Sequence, residues 1–332
     1  MALSSTERID IVNIGLMILS AIAAFMLPFQ LFLFVYAVLG PLHYLTEISW
    51  LHDKQYFTKG KYDAVWLLVV GVVLMLNFFR FKIELEFPPM FDANLMFIAL
   101  LSALIFVTVK NTFYKIGGIV VLVFASQLSH NMNFFLTVFV PTLIHVYVFT
   151  ALFMLYGTIK SKSRVGMWAF ALMVAIPFIL YNVMPGKAFY MPSAQTQFTY
   201  RPFEIVNRVW FSIIDKVPVP GTVEGWNELI FSSTKGIMLM RFIAFAYTYH
   251  YLNWFSKTKV IQWHKVPKLR FAIVIVVWIA SVAIYMYNYE TGLQWLLLLS
   301  FMHVLLEFPL NVISIMGIGE HIKSKVFKPA QA

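Results

Sequence analysis

Four histidines stand inside long apolar stretches of the sequence, where an ionisable side chain is costly. They are His43, His145, His250 and His303. Ionisable residues inside membrane segments are candidates for functional sites, and imidazole is a good ligand for zinc, copper, iron and nickel. We therefore interpret the four histidines as the ligands of one metal or haem site. For any single one, the alternative is a buried histidine hydrogen-bonded to a backbone or hydroxyl group.

Two glutamates follow two of these histidines at the same spacing. Glu47 comes four residues after His43, and Glu307 comes four residues after His303. Residues four apart share one face of a helix, so each glutamate faces the same way as its histidine. The carboxylates could accept the imidazole N–H and orient the ring, or they could bind the metal themselves in a mixed or dinuclear site. They could also be neutralised by protonation or by Arg241.

The elements that carry these residues are predicted to be membrane helices. The chain has 332 residues, of which 61% are hydrophobic and 12% are charged, whereas soluble domains are about half apolar and about a quarter charged. Apolar stretches of about 20 residues recur along the chain. We predict an all-α fold, a polytopic membrane helical bundle with about ten transmembrane helices in a single integral membrane domain, 1–332. The predicted spans are 10–27, 29–51, 64–81, 92–109, 116–133, 135–158, 165–184, 236–256, 269–288 and 292–317.

The basic residues predict the orientation of the bundle. The loops after the second, fourth, sixth and eighth spans are rich in Lys and Arg, which places them and both termini in the cytoplasm. The net charge of +10 therefore indicates topology and contact with anionic lipids, and not nucleic-acid binding. The membrane is expected to be of the bacterial inner or plasma type. The absence of cysteine excludes thiolate metal ligands.

In this topology the four histidine helices all run from the outer side to the inner side. Counted from the outer end, the histidines lie roughly 15, 11, 15 and 12 residues in, so at about 1.5 Å per residue their depths differ by only about 6 Å. Four imidazoles at nearly one depth, on four helices, are expected to converge on one point.

The longest connection between spans, 185–235, is predicted to lie outside and to contain an interfacial amphipathic helix. This helix could serve as a lid or lipid entry portal, or as a simple anchor at the interface. Its apolar residues recur at helical spacing, with polar residues between them: Phe203, Val206, Trp210 and Ile213 against Glu204, Asn207, Arg208 and Asp215.

The histidine segments resemble those of a known family, the membrane β-carotene dioxygenases of the Brp/Blh type. The similar stretches are "LGPLHYLTEISW", "TLIHVYVF", "YTYHYLNWF" and "SFMHVLLEFPL", in the same order and with similar relative spacing. The resemblance implies a non-haem iron (Fe²⁺) held by histidines, which uses O₂ to cleave a carotenoid to retinal-type aldehydes. It places His43, His145 and His250 at ligand positions and offers His303 as the fourth ligand.

The chain departs from the family pattern at two positions. The family's third motif has two histidines four residues apart, but Trp254 stands at the second of these positions. Phe149 stands one turn after His145, where an acidic residue is expected. We therefore predict an oxygenase of the wider superfamily that acts on a long apolar substrate, such as a carotenoid, another isoprenoid or a lipid. Aromatic residues near the motifs are the candidates to line its tunnel: Tyr44, Tyr147, Tyr249, Tyr251 and Trp254.

Two other functions stay open at this point. Intramembrane histidines and glutamates also form proton or cation sites in transporters and channels, although the chain shows no internal repeat and few Gly or Pro breaks within spans. A membrane haem protein with two axial histidines would transfer electrons instead.

Overall fold

The computed structural model describes residues 4–79, 90–128, 130–182 and 190–326, and within these ranges the chain is helical and forms no strand. This confirms the predicted all-α class. The α-helices are α1 Ser5–Met26, α2 Pro28–Asp53, α3 Asp63–Phe79, α4 Phe91–Thr108, α5 Thr112–Ser126, α6 His130–Phe139, α7 Thr150–Ser161, α8 Arg164–Asn182, α9 Ala194–Tyr200, α10 Glu204–Val209, α11 Val223–Asn227, α12 Thr234–Ser256, α13 Thr258–Ile261, α14 Lys268–Tyr287 and α15 Tyr289–Val326. A π-helical segment, Val140–Phe149, joins α6 to α7.

The helix boundaries follow local chemistry that the sequence encodes. Ser4 and Glu7 form a capping box at the start of α1, in which the Ser4 hydroxyl accepts from the Glu7 N–H and the Glu7 carboxylate accepts from the Ser4 N–H. These bonds satisfy two donors that a helix start leaves without an internal partner. Pro28 opens α2, because proline has no N–H to donate and fits the first turn of a helix.

Several helices are long and apolar enough to cross a membrane, which is compatible with an integral membrane protein. Seven such helices occur in the described part of the chain: Ser5–Met26, Pro28–Asp53, Phe91–Thr108, Phe135–Ser161, Arg164–Asn182, Lys268–Tyr287 and Tyr289–Lys325. The pair Val223–Ser232 and Thr234–Ser256, bent by 63°, would make an eighth. Asp63–Asn77 and Thr112–Ser126 are apolar but shorter. The count of ten and the cytoplasmic termini stay predictions.

The helices pack into two compact units, and the first consists of Met1–Leu39 and Thr142–Ile261. Its central helix is α12, against which α1 and α8 pack. Every residue of α12 from Leu239 to Tyr251 is buried. A helix that is buried on all sides needs apolar or internally satisfied side chains throughout, so the polar residues of α12 must find partners within the protein.

The second unit consists of Gly40–Pro141 and Gln262–Ala332. Its central helix is α15, against which α3, α4 and α14 pack. All residues from Met302 to Phe308 are buried, including a histidine and a glutamate. Helix α2 contributes its first part to the first unit and its last part to the second. The prediction of one single domain stays a prediction.

A buried ion pair joins α3 to α5 in the second unit. Lys115 Nζ lies 2.5 Å from Asp63 Oδ2, and both side chains are less than a tenth exposed. The backbone N–H of Gly60 donates to the same carboxylate oxygen over 2.8 Å. A Cβ atom at Gly60 would lie 2.4 Å from Lys115 Nζ, so a larger residue there would displace the ammonium group from its present position.

The predicted amphipathic segment is helical, but its buried face differs from the prediction. A 3₁₀ turn, α10 and a π turn run consecutively through residues 201–214. Glu204 and Asn207, expected on the polar face, are buried. They are accommodated because Glu204 accepts from Arg208 over 2.7 Å and Asn207 accepts from the Tyr200 hydroxyl over 2.7 Å. The interfacial position stays a prediction, and residues 185–189 of the predicted loop lie outside the described residues.

Candidate metal centre

The first unit brings two of the predicted ligands into contact. His145 lies in the π-helical segment and His250 lies on α12. Their ring centroids are 4.8 Å apart with an interplanar angle of 67°, and both side chains are buried. The two imidazoles therefore meet edge to face, which leaves no space for a porphyrin between them.

The π-helical segment that carries His145 begins with an irregular backbone. Pro141 is its second residue, and Thr142 has φ −118° and ψ −110°, outside helical values. Proline removes one helix hydrogen bond and its ring clashes with the preceding turn, which accounts for the change from α-helical geometry. Short π-helical stretches inside α-helices occur frequently at functional sites.

A threonine hydroxyl contacts the second imidazole of this pair. Thr150, the first residue of α7, is buried, and its Oγ1 lies 2.7 Å from Nδ1 of His250. The contact is in the distance range of a good hydrogen bond. Thr150 is not among the residues predicted from the sequence. The sequence does contain one relevant signal, Pro141, which lies four residues before His145. A proline inside an apolar span indicates that the backbone there departs from regular α-helical geometry.

The second unit brings the other two predicted ligands together. His43 on α2 and His303 on α15 have ring centroids 5.3 Å apart with an interplanar angle of 77°, and both are buried. Tyr44 stacks on the His303 ring, with centroids 4.2 Å apart and planes 24° apart. Tyr44, predicted to line a tunnel, is fully buried here and packs against a candidate ligand.

Both predicted glutamates are buried in the second unit. Glu47 Oε2 lies 3.2 Å from Nε2 of His43, as the four-residue spacing on one helix predicts. Glu307 is equally buried. The 3.2 Å distance fits a carboxylate that orients His43, and it also fits two ligand atoms of one metal ion.

Arg241, one of the two means suggested for neutralising the glutamates, contacts the end of α1 in the first unit. Its Nε donates to the carbonyl oxygen of Phe25 over 3.0 Å, and the guanidinium lies over the Phe25 ring at 3.9 Å. The last four carbonyl groups of an α-helix accept no hydrogen bond from within the helix. They form the negative end of the helix dipole and therefore attract cations. Arg241 therefore binds the C-terminal end of α1 in the first unit.

The remaining aromatic residues predicted to line a substrate tunnel are Tyr147, Tyr249, Tyr251 and Trp254. The Tyr249 hydroxyl donates to Asn13 over 3.0 Å, and the Tyr147 hydroxyl donates to a backbone carbonyl of α8 over 3.4 Å. The Tyr251 ring lies 5.4 Å from the His250 ring. The two hydrogen bonds join different helices, whereas the contact between Tyr251 and His250 lies within α12. The tunnel itself stays a prediction.

The four predicted histidines form one group of possible ligands. Each of His43, His145, His250 and His303 offers a ring nitrogen; His145 and His250 form one pair in the first unit, and His43 and His303 form the other in the second. All four side chains are buried. A buried group of four imidazoles could hold a metal ion, because every donor is a nitrogen of the kind that transition metals bind.

No protein-family model, curated protein or solved structure matches this chain. The resemblance to the β-carotene dioxygenases therefore rests on the histidine segments alone and stays a prediction.

Proposed function

We propose that this protein is an integral-membrane oxygenase in which His43, His145, His250 and His303 hold one non-haem iron (Fe²⁺). The observation that carries the proposal is the burial of all four imidazoles in two contacting pairs, with ring centroids 4.8 Å apart in His145–His250 and 5.3 Å apart in His43–His303. When bound, iron would supply the activation of O₂. The resemblance of the histidine segments to membrane β-carotene dioxygenases supports iron over zinc, copper or nickel, which imidazole also binds.

The protein residues around the imidazoles hold and orient them. In the first unit, Thr150 contacts His250 over 2.7 Å. In the second unit, Glu47 lies 3.2 Å from His43 and Tyr44 stacks on His303. Rings fixed by neighbours in this way are pre-organised to bind metal. Their burial also limits access of water, as chemistry with O₂ and an apolar substrate requires.

The proposed substrate is a long apolar molecule that enters from the membrane, such as a carotenoid, another isoprenoid or a lipid. The long apolar helices expose large hydrophobic side chains, among them Leu19 and Trp168 at 63% and 75%, which suits contact with lipid chains. For a carotenoid, the products would be retinal-type aldehydes.

Expression in carotenoid-producing cells is expected to bleach their colour and release aldehydes, and the His250→Ala variant should leave the colour unchanged. If the active protein leaves every carotenoid intact, carotenoid cleavage is excluded and other apolar substrates are to be tested.

Glu47 provides a test of the carboxylates. We expect Glu47→Gln to lower the affinity for Fe²⁺ by about 10- to 100-fold, because residues that support metal ligands contribute this much. Titration of the metal-stripped protein with Fe²⁺ against a chelator measures the change. Glu320→Gln, at an exposed position of α15, is the matched control and should bind like the wild type. Equal affinities of the two variants would remove Glu47 from the site.

One observation favours a second candidate function. Glu47 and Glu307 are both buried, on helices apolar enough to cross a membrane. Such carboxylates carry protons or cations in transporters. Reconstitution in vesicles separates the two functions, because cation or proton flux by metal-free protein is expected only of a transporter.

A further inference from the structure

A buried hydrogen bond in the first unit has no role in the sequence-based account. Thr150 Oγ1 lies 2.7 Å from His250 Nδ1, and both side chains are at least nine-tenths buried. Thr150 contributes the first residue of α7, whereas His250 lies 100 positions later on α12. The bond therefore connects two helices at the point where a predicted ligand stands.

The chemistry of imidazole gives this contact a consequence for metal binding. A neutral imidazole binds metal through one ring nitrogen and carries its proton on the other. Ligand histidines almost always donate this second N–H to an acceptor, which fixes the tautomer and the orientation of the ring. With Nδ1 engaged by a hydroxyl, the nitrogen of His250 that would bind metal is Nε2.

We propose that Thr150 is the positioning residue of the metal centre: its hydroxyl oxygen accepts the Nδ1–H of His250 and holds Nε2 toward the ion. This inference rests on the proposed metal site and adds to it a residue that neither the motif spacing nor the resemblance indicates. Thr150 itself does not bind the metal in this account. Its effect on the ion passes through the orientation of His250.

The π-helical segment explains how one stretch of chain reaches both imidazoles. In a regular α-helix, residues five positions apart are separated by about 140° around the axis, so His145 and Thr150 would point in different directions. The wider i→i+5 turn of a π-helix reduces this rotation. The segment Val140–Phe149 thus lets His145 lie 4.8 Å from the His250 ring while Thr150 contacts the same ring.

The test compares two substitutions that differ by the hydroxyl. Thr150→Val keeps the branched shape and loses the acceptor, whereas Thr150→Ser keeps the acceptor. Thr158→Val changes another buried threonine of α7 and serves as the matched control. The full-length protein in detergent is stripped of metal and titrated with Fe²⁺, and separately with Co²⁺, whose visible bands report the ligand geometry.

We expect Thr150→Val to lower the affinity for both ions by about 10- to 100-fold and to shift the Co²⁺ bands, since this is the usual effect of losing the partner of a ligand histidine. Thr150→Ser should restore wild-type bands and most of the affinity, and Thr158→Val should match the wild type. Thr150→Ala removes the same hydroxyl with less volume, and we expect it to bind metal as weakly as Thr150→Val.

The outcomes separate this inference from the function on which it rests. If the wild type binds neither ion, the proposed metal site is wrong. If the wild type binds and the Val and Ala variants bind equally well with unchanged Co²⁺ bands, the metal site stands and Thr150 has no positioning role. Equal losses in Thr150→Ser and Thr150→Val would also overturn the inference, because they would assign the effect to packing.

Discussion

Replacing His250 or His43 by alanine is expected to leave the purified protein without bound metal. Each variant removes one of the four imidazoles of the buried histidine group. Because imidazole is the only kind of donor in that group, no thiolate can replace the lost bond, and the chain contains no cysteine. Metal analysis after purification under identical conditions measures the loss.

His52→Ala is the control for this experiment. His52 lies on the same helix as His43, at an exposed position near its C-terminal end, where its Nδ1 lies 3.3 Å from the Tyr56 hydroxyl. We expect this variant to keep the wild-type metal content. Equal metal content in His43→Ala, His250→Ala and His52→Ala would show that the bound ion lies elsewhere.

Breaking the buried ion pair between Asp63 and Lys115 is expected to destabilise the protein strongly. Removing one partner of a buried pair leaves an uncompensated charge in a low-dielectric interior and costs about 3–5 kcal/mol. Asp63→Asn and Lys115→Met should therefore each lower the apparent unfolding temperature in detergent. The effect on metal content should be small in whatever fraction stays folded, since neither residue belongs to the histidine group.

The double variant Asp63→Asn/Lys115→Met provides the internal check. It removes both charges, so no buried charge is left without its counterpart, and we expect it to be more stable than either single variant. If the double variant loses as much stability as the sum of the two single ones, the contacts of the two side chains are independent and the ion pair is not what stabilises this region.

The helical class and the presence of histidine pairs in the interior could be predicted from the sequence for a clear reason. A long apolar segment in a membrane must form a helix, because only then do its backbone groups find hydrogen-bond partners within the segment. The rise per residue of a helix then predicts how deep each histidine lies along its span. The pairs His145–His250 and His43–His303 are accordingly in ring contact. The distance from Glu47 to His43 likewise follows from the four-residue spacing on one helix.

Other features depend on tertiary structure and could not be predicted in this way. Thr150 becomes a neighbour of His250 through a π-helical segment, and a hydrogen bond between residues 100 positions apart leaves no periodic signal. Glu204 and Asn207 were assigned to a polar face, yet partners on nearby residues allow both to be buried. A polar residue predicts exposure only when no such partner is within reach.

The most direct test of the account is the metal content and visible spectrum of the wild-type protein, purified from cells supplied with iron. We expect about one iron per chain, consistent with a single mononuclear histidine site, and no Soret absorption band. A Soret band would show a haem protein instead. Protein that is folded, yet carries no iron and takes up none when Fe²⁺ is added without oxygen, would contradict the central claim.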